Sequence, residues 1–241
     1  MLCKKVRKSI QVLYLGPARR ASTSADVRER DSLQSCSAAA AGCYHDHVAN
    51  AKNHSIPCGL RTVFLDRDGI LNEKMPEGQY VTRLEEFHVL PGVPEALRRL
   101  NQAGLLTIVV SNQRGIARGL YTAADVDAIH AAFQRQLSSA GARIDAFFIC
   151  PHDKDQCNCR KPLPGLFEQA VAQFPQITAA TSVMIGDSFS DIEFGRRLGM
   201  TTIFIEGDPQ RRKSGAEEAA RLAGFTFASL PEAVDALLAQ R

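Results

Sequence analysis

The stretch Thr62-Val63-Phe64-Leu65-Asp66-Arg67-Asp68-Gly69 sets a short apolar, β-branched run directly against two carboxylates and a glycine. Such a run bounded by a turn former reads as a strand. Thr62 to Leu65 is therefore a first strand, and Asp66 and Asp68 lie where it leaves the sheet. Working outward, Leu105 to Val110 is a second strand, a continuous run suited to burial on both faces. Ala146 to Ile149, Ser182 to Ile185 and Thr201 to Ile205 are the third, fourth and fifth.

Helical patterns fill the gaps. One starts at Pro91-Gly92, runs through Glu95 to Asn101 and stops at Gly104; a long one is capped by Thr122 and reaches about Ala140. Pro164 to Phe174 is helical, Ser190 is expected to cap a helix ending at Gly199, and the last helix runs from Pro231 towards Gln240. Strands alternating with helices predict an α/β fold over residues 61–241, Rossmann-like and doubly wound, with a mostly parallel sheet. Only 42 residues separate Asp68 from Ser111, so no large cap domain fits there. In an open sheet of this kind ligands bind at the carboxyl ends of the strands. Asp66 and Asp68, Ser111 and Asn112, Cys150, and Asp187 all follow strands in this way, so independent segments point to one cleft.

The chain of 241 residues with 45% hydrophobic content allows one sizeable core. No run of eighteen apolar residues exists, which excludes a membrane-spanning helix. The net charge of +3 belongs to residues 1–60, which hold nine Lys and Arg against four Asp and Glu; the remainder carries 20 basic and 22 acidic residues. No basic and aromatic pattern suggests a nucleic-acid partner, and no membrane partner is expected. Residues 1–60 lack any sustained period and read as a disordered extension or a start assigned too far upstream. An organelle transit peptide fits less well, because Asp26, Glu29, Asp31 and Asp46 are more acidic residues than such peptides carry. The seven cysteines are odd in number and no secretory signal precedes them, which suits a reducing cytoplasm. A metal site from Cys36, Cys43, His45 and His47 is disfavoured, since nothing around them would fold to hold the ligands.

Asp66-x-Asp68 alone is ambiguous. As an EF-hand loop it fails, because Ile70 stands at the third ligand position and the glycine comes too early. As a turn or cap it would be unremarkable. Three further segments change the reading: Ser111-Asn112-Gln113, Arg160-Lys161-Pro162 and Gly186-Asp187-Ser188-Phe189-Ser190-Asp191. In this order they resemble the four motifs of the haloacid dehalogenase superfamily of phosphatases, over essentially all of residues 61–241. The resemblance implies Asp66 as the nucleophile, and magnesium held by the Asp66 side chain, the Asp68 backbone carbonyl and the Asp187 side chain. Asp68 fits the group that alternates between acid and base. Ser111 and Lys161 fit the donors to the transferring phosphoryl group. Asp191 is expected to support from behind, in the first turn of a helix.

Cys150-Pro151-His152 and Cys157-Asn158-Cys159 are two pairs joined by four residues. A loop this short can fold both pairs into a tetrahedral site of three sulfurs and one nitrogen with no open position, so the expected zinc is structural. A reactive cysteine pair and a chance cluster are the alternatives. With Asp66-Arg67-Asp68-Gly69, Asn112-Gln113 and Gly115-Ile116-Ala117-Arg118-Gly119, this loop resembles the D-glycero-D-manno-heptose 1,7-bisphosphate phosphatases, which implies removal of the 7-phosphate of a small phosphorylated sugar. It further implies that Ser111, Asn112, Gln113 and Arg114 line the substrate pocket, that Arg160 contributes to recognition, and that Lys161 stabilises the phosphoryl group. Arg114 departs from the small Ser common there. Ser188, where some members have Lys, is grouped with the substrate-binding residues, and Glu73 to Tyr80 is slightly long. Histidinol-phosphate phosphatases resemble the chain as well, and a non-catalytic zinc-stabilised binding module is the remote alternative. Oligomeric state is not legible, and a monomer suffices.

Overall fold

The structure, a computed structural model, describes residues 11–12, 55–212 and 214–240. The readings made for the rest of residues 1–54, including the Cys36, Cys43, His45 and His47 group, lie outside the described residues. Among the described residues the sheet has seven strands: β1 (Gln11–Val12), β2 (Thr62–Leu65), β3 (Leu106–Asn112), β4 (Ala146–Cys150), β5 (Ser182–Gly186), β6 (Thr201–Ile205) and β7 (Phe225–Phe227). Their order is β1-β4-β3-β2-β5-β6-β7; the last six in sequence run parallel, and β1 pairs antiparallel with β4 at the edge.

β2 is central because it is buried on both faces. Val63 and Leu65 point into one layer with α1 (Val93–Gln102), α2 (Ala123–Ser139) and α6 (Leu230–Leu238), through Leu97, Phe133 and Val234 among others. Phe64 points the other way, onto Leu166 and Ala170 of α3 (Gly165–Gln173) and Phe194 of α4 (Phe189–Leu198). Each such side chain contributes roughly 1.5–3 kcal/mol by leaving water, which is why the strand reads as an unbroken apolar run. Ile56 and Leu60 are also buried in this core, so the packed chain begins ahead of the expected boundary at residue 61.

From β2 the chain winds to β3 and β4 on one side, then crosses to β5 on the other. This reversal opens a crevice at the carboxyl end of β2. Between Asp68 and Ser111 lie only a 3-10 turn (Leu84–Glu86), α1 and most of β3, so no cap domain is inserted there. Two strands and one α-helix went unread in the sequence: β1, within the stretch expected to be disordered, α5 (Ala216–Leu222), and β7, an edge strand of three residues that is at most half-buried. One cap is corrected. Ser188, not Ser190, caps α4, because Asp191 three residues on accepts from both the Ser188 N–H (3.1 Å) and hydroxyl (2.5 Å), completing a capping box.

Candidate active site

A cleft of about 390 Å³ opens at the carboxyl ends of β2 and β3, lined by Asp66, Asp68, Ser111, Asn112, Arg114, Arg160, Lys161 and Ser188. Asp66 follows β2 directly, its N–H donating to the Ile185 carbonyl at 3.0 Å, and its side chain is tipped into the floor. Lys161 stands beside it. Far from being a solvated lysine it is 3% exposed, and its ammonium donates to Asp66 Oδ1 (2.9 Å), Asp191 Oδ1 (2.6 Å) and the Val110 carbonyl (2.6 Å). Burial and then the Asp191 carboxylate hold the Asp66 carboxyl above its ordinary value, against the pull of Lys161. Burial pulls the Lys161 ammonium down, but Asp191 and Asp66 outweigh it and leave the group above its ordinary value, charged at neutral pH.

Asp187 follows β5 and is 7% exposed. Its Oδ2 accepts from Lys74, a residue to which sequence reading gave no role, while its buried Oδ1 has no hydrogen-bond partner. Gly69 makes this approach possible. Its φ is +96°, and a Cβ there would lie 2.0 Å from Asp187 Oδ2. Carboxylate oxygens of Asp66, Asp187 and Asp191 come within 4.8 Å of one another. Burial pushes the Asp187 carboxyl up to about 7, with Lys74 opposing.

Asp68 is gripped from several sides. Arg67, itself 1% exposed, donates from Nε and Nη2 at 2.9–3.1 Å, Asn72 Nδ2 donates at 3.0 Å, and Gln113 Nε2 at 3.3 Å. The sequence alone assigns no role to Arg67 or Asn72. The basic residue of Asp-x-Asp was the available signal, since an arginine next to a buried strand end needs a partner. Gln113, expected against the substrate, is 1% exposed and turned inward, bonded to Ser111 Oγ (2.8 Å) and Tyr121 (2.7 Å). Side chains alternate along an extended segment, so Gln113 shares its side with Ser111, to which it is bonded, and Asn112 takes the other.

Asn112 reaches the cleft, but its amide is engaged with the Lys161 backbone in both directions, at 3.0 and 3.1 Å, which ties the Lys161 segment to β3. Arg114 lines the cleft and pairs with Asp153; that neighbour keeps its guanidinium above its ordinary value. Arg160 and Ser188 also line the cleft, Ser188 while serving in the α4 cap.

The second cluster forms as expected. Cys150, at the end of β4, lies with its Sγ 3.5 Å from that of Cys157 and 3.8 Å from His152 Nδ1, which is 3.3 Å from Cys159 Sγ. Tetrahedral zinc with ordinary bond lengths would place sulfurs about 3.8 Å apart and sulfur from nitrogen about 3.5 Å. These separations fit that ion. The Cys150 thiol is pushed up by its hydrogen bond with Cys159 and by burial, a shift that a cation among the sulfurs would reverse.

The sequence model of the haloacid dehalogenase-like hydrolases matches residues 48–199. The chain is 42% identical over 137 residues to the D-glycero-alpha-D-manno-heptose-1,7-bisphosphate 7-phosphatase of Mycobacterium tuberculosis, covering 56% of this chain and 72% of that protein. It is 34% identical over 148 residues to the D-glycero-beta-D-manno-heptose-1,7-bisphosphate 7-phosphatase of Bordetella bronchiseptica, covering 61% and 81%. The crystal structure of D,D-heptose 1,7-bisphosphate phosphatase from B. bronchiseptica complexed with magnesium and phosphate superposes with a TM-score of 0.67 at 29% identity, over 76% of this chain and all of that one.

Proposed function

This chain belongs to the haloacid dehalogenase-like hydrolases, and on that premise we propose that it is a magnesium-dependent phosphatase that removes the 7-phosphate of D-glycero-D-manno-heptose 1,7-bisphosphate. The observation that carries the reading is the buried Asp66 carboxylate at the cleft floor, held by Lys161 and facing Asp187, whose inner oxygen is without a partner.

Magnesium fits this donor set: hard carboxylate oxygens, one of them buried and unsatisfied, in a space that Gly69 keeps open. Asp66, the Asp68 carbonyl and Asp187 would hold it, and the ion supplies charge neutralisation between the attacking carboxylate and the phosphate. The rest is done by the chain's own groups. An Asp66 oxygen bonds to phosphorus as the ester P–O bond breaks, and Asp68 gives its proton to the departing alkoxide. Lys161 and the Ser111 hydroxyl stabilise the charge spread over the phosphoryl oxygens. Asp68, now a carboxylate, takes a proton from water as its oxygen attacks the acyl phosphate, freeing phosphate and Asp66. Zinc held by Cys150, His152, Cys157 and Cys159 is structural, and three reduced thiols suit a cytoplasmic setting.

Arg114, Arg118, Lys154 and Arg160 all line the cleft. They favour a substrate whose far end is a second phosphate and disfavour histidinol phosphate, whose far end carries a protonated amine. With magnesium, kcat/KM for the heptose bisphosphate should exceed that for histidinol phosphate by about a hundredfold or more. Initial rates on both substrates, with each anomer of the sugar, measure this; a preference for histidinol phosphate would overturn the assignment.

Proton and cation compete for Asp187, whose carboxyl stands at about 7. A raised carboxyl is protonated below that value, so magnesium affinity should decline as pH falls through 7, approaching tenfold per unit, and level off above it. Calorimetric titration of metal-free protein with magnesium reads the slope. An affinity indifferent to pH across this window would contradict the ligand assignment.

A further inference from the structure

We propose that Tyr121 is a positioning residue for the acid–base carboxylate: its phenol sets the orientation of the Gln113 amide, which in turn holds Asp68 from the β3 side of the cleft. The inference rests on the role given to Asp68 above.

A glutamine amide has one accepting end and one donating end. Here each end meets a partner of a fixed kind. Gln113 Nε2 donates to Asp68 Oδ2 at 3.3 Å and to Ser111 Oγ at 2.8 Å, and Asp68 Oδ2 is already an acceptor, taking a hydrogen bond from Arg67 Nη2 at 3.0 Å. Gln113 Oε1 must then face Tyr121, whose hydroxyl donates to it at 2.7 Å. That phenol is a dependable donor, since burial raises it to about 12. Both residues are buried, at 1% and 6% exposure, so water does not replace either contact readily.

Arg67 and Asn72 hold Asp68 from its own loop, four residues away or fewer, whereas Gln113 reaches it from just beyond β3. Without the phenol the amide carbonyl loses its donor and the amide can turn, and a turned amide sets an oxygen against the Asp68 carboxylate. The same amide donates to Ser111 Oγ, which leaves the serine's own proton to point elsewhere, as a donor to phosphate requires.

The tyrosine is itself firmly placed. Its ring lies over Gly115, where a Cβ would come 2.1 Å from Tyr121 Cε1, and packs with Val126 and Ile149. On its other side is Tyr80, a cleft-lining residue of the segment after Gly69, with ring centroids 6.0 Å apart. Gly115-Ile116-Ala117-Arg118-Gly119 thereby acquires a purpose: its first glycine admits the ring that steadies the acid–base group.

Tyr121→Phe removes one oxygen and keeps the ring. If Asp68 is misplaced as an acid, esters with poor leaving groups suffer and esters whose leaving group needs no proton do not. We expect kcat/KM for the heptose bisphosphate to fall about tenfold and that for 4-nitrophenyl phosphate by less than about twofold, because kcat/KM reports the step in which the leaving group departs. Gln113→Met removes the donor to both Asp68 and Ser111 and should lower kcat/KM for both esters, more for the heptose bisphosphate, and the double variant should lose no more than Gln113→Met alone. Equal losses on both esters, or none on either, would overturn the proposal. Asp66→Asn, run alongside, separates the two readings. Activity that survives it sinks the phosphatase mechanism, whereas a dead Asp66 variant with an unselective Tyr121→Phe sinks only the positioning role.

Discussion

Replacing Asp66 by Asn is expected to abolish turnover while leaving the protein folded and no less stable. The amide has the shape of the carboxyl but cannot form the acyl phosphate, so kcat should fall on the order of 10⁴-fold or more on every phosphomonoester. Stability should move the other way. The Asp66 carboxylate is buried, and Asp191 and Asp68 repel it, so its ionised form is disfavoured where it stands. A neutral amide removes that cost, while Lys161 keeps Asp191 and the Val110 carbonyl as partners. Thermal melting of the metal-free proteins should therefore place the variant at or above the parent, as is common where a site is built for activity at the expense of stability. A variant with residual activity within a hundredfold of the parent, on the order of a few kcal/mol of barrier, would remove Asp66 from the nucleophile's role.

Replacing Cys157 by Ser should cost zinc, stability and activity together. The four ligands come from the end of β4 and from a loop that closes on Cys159, and the next two residues are Arg160 and Lys161. Ordering the loop thus orders the cation beside Asp66, with Asn112 fastening the same segment to β3. Loss of one thiolate from a closed tetrahedral site leaves the others mutually repelled or protonated and removes a large part of the binding free energy that holds the loop. Metal analysis should show one zinc per chain in the parent and well below that in the variant, with kcat/KM reduced by about tenfold or more and magnesium affinity little changed. Full activity and an unchanged melting temperature in zinc-free protein would refute a structural ion there.

That Asp66 and Asp187 meet at one end of the sheet was legible in the sequence because each is the first carboxylate after a buried strand, whereas Lys161 was reached only through the family resemblance. A strand buried on both faces must be a continuous apolar run, and the first polar residue after it emerges at the end of the sheet where ligands gather. The thiol and imidazole pairs were legible for a similar reason, since short spacing alone brings them together. The short β7 and α5 were not, for they bury too little to impose a period. The helix pattern favours Ser190 as the cap of α4, but the capping box depends on which hydroxyl reaches Asp191.

What only the tertiary structure decided is the direction of each polar side chain once it leaves its strand. Lys74 finds Asp187 across 113 residues, Lys161 finds Asp66 across 95, and Gln113 turns away from the cleft because Asp68 and Tyr121 both await it inside. Periodicity reports how a segment is buried, and that was enough to place the strand ends that gather at the cleft. The partner that satisfies a buried charge or amide comes from another segment of the chain, and no local pattern records it.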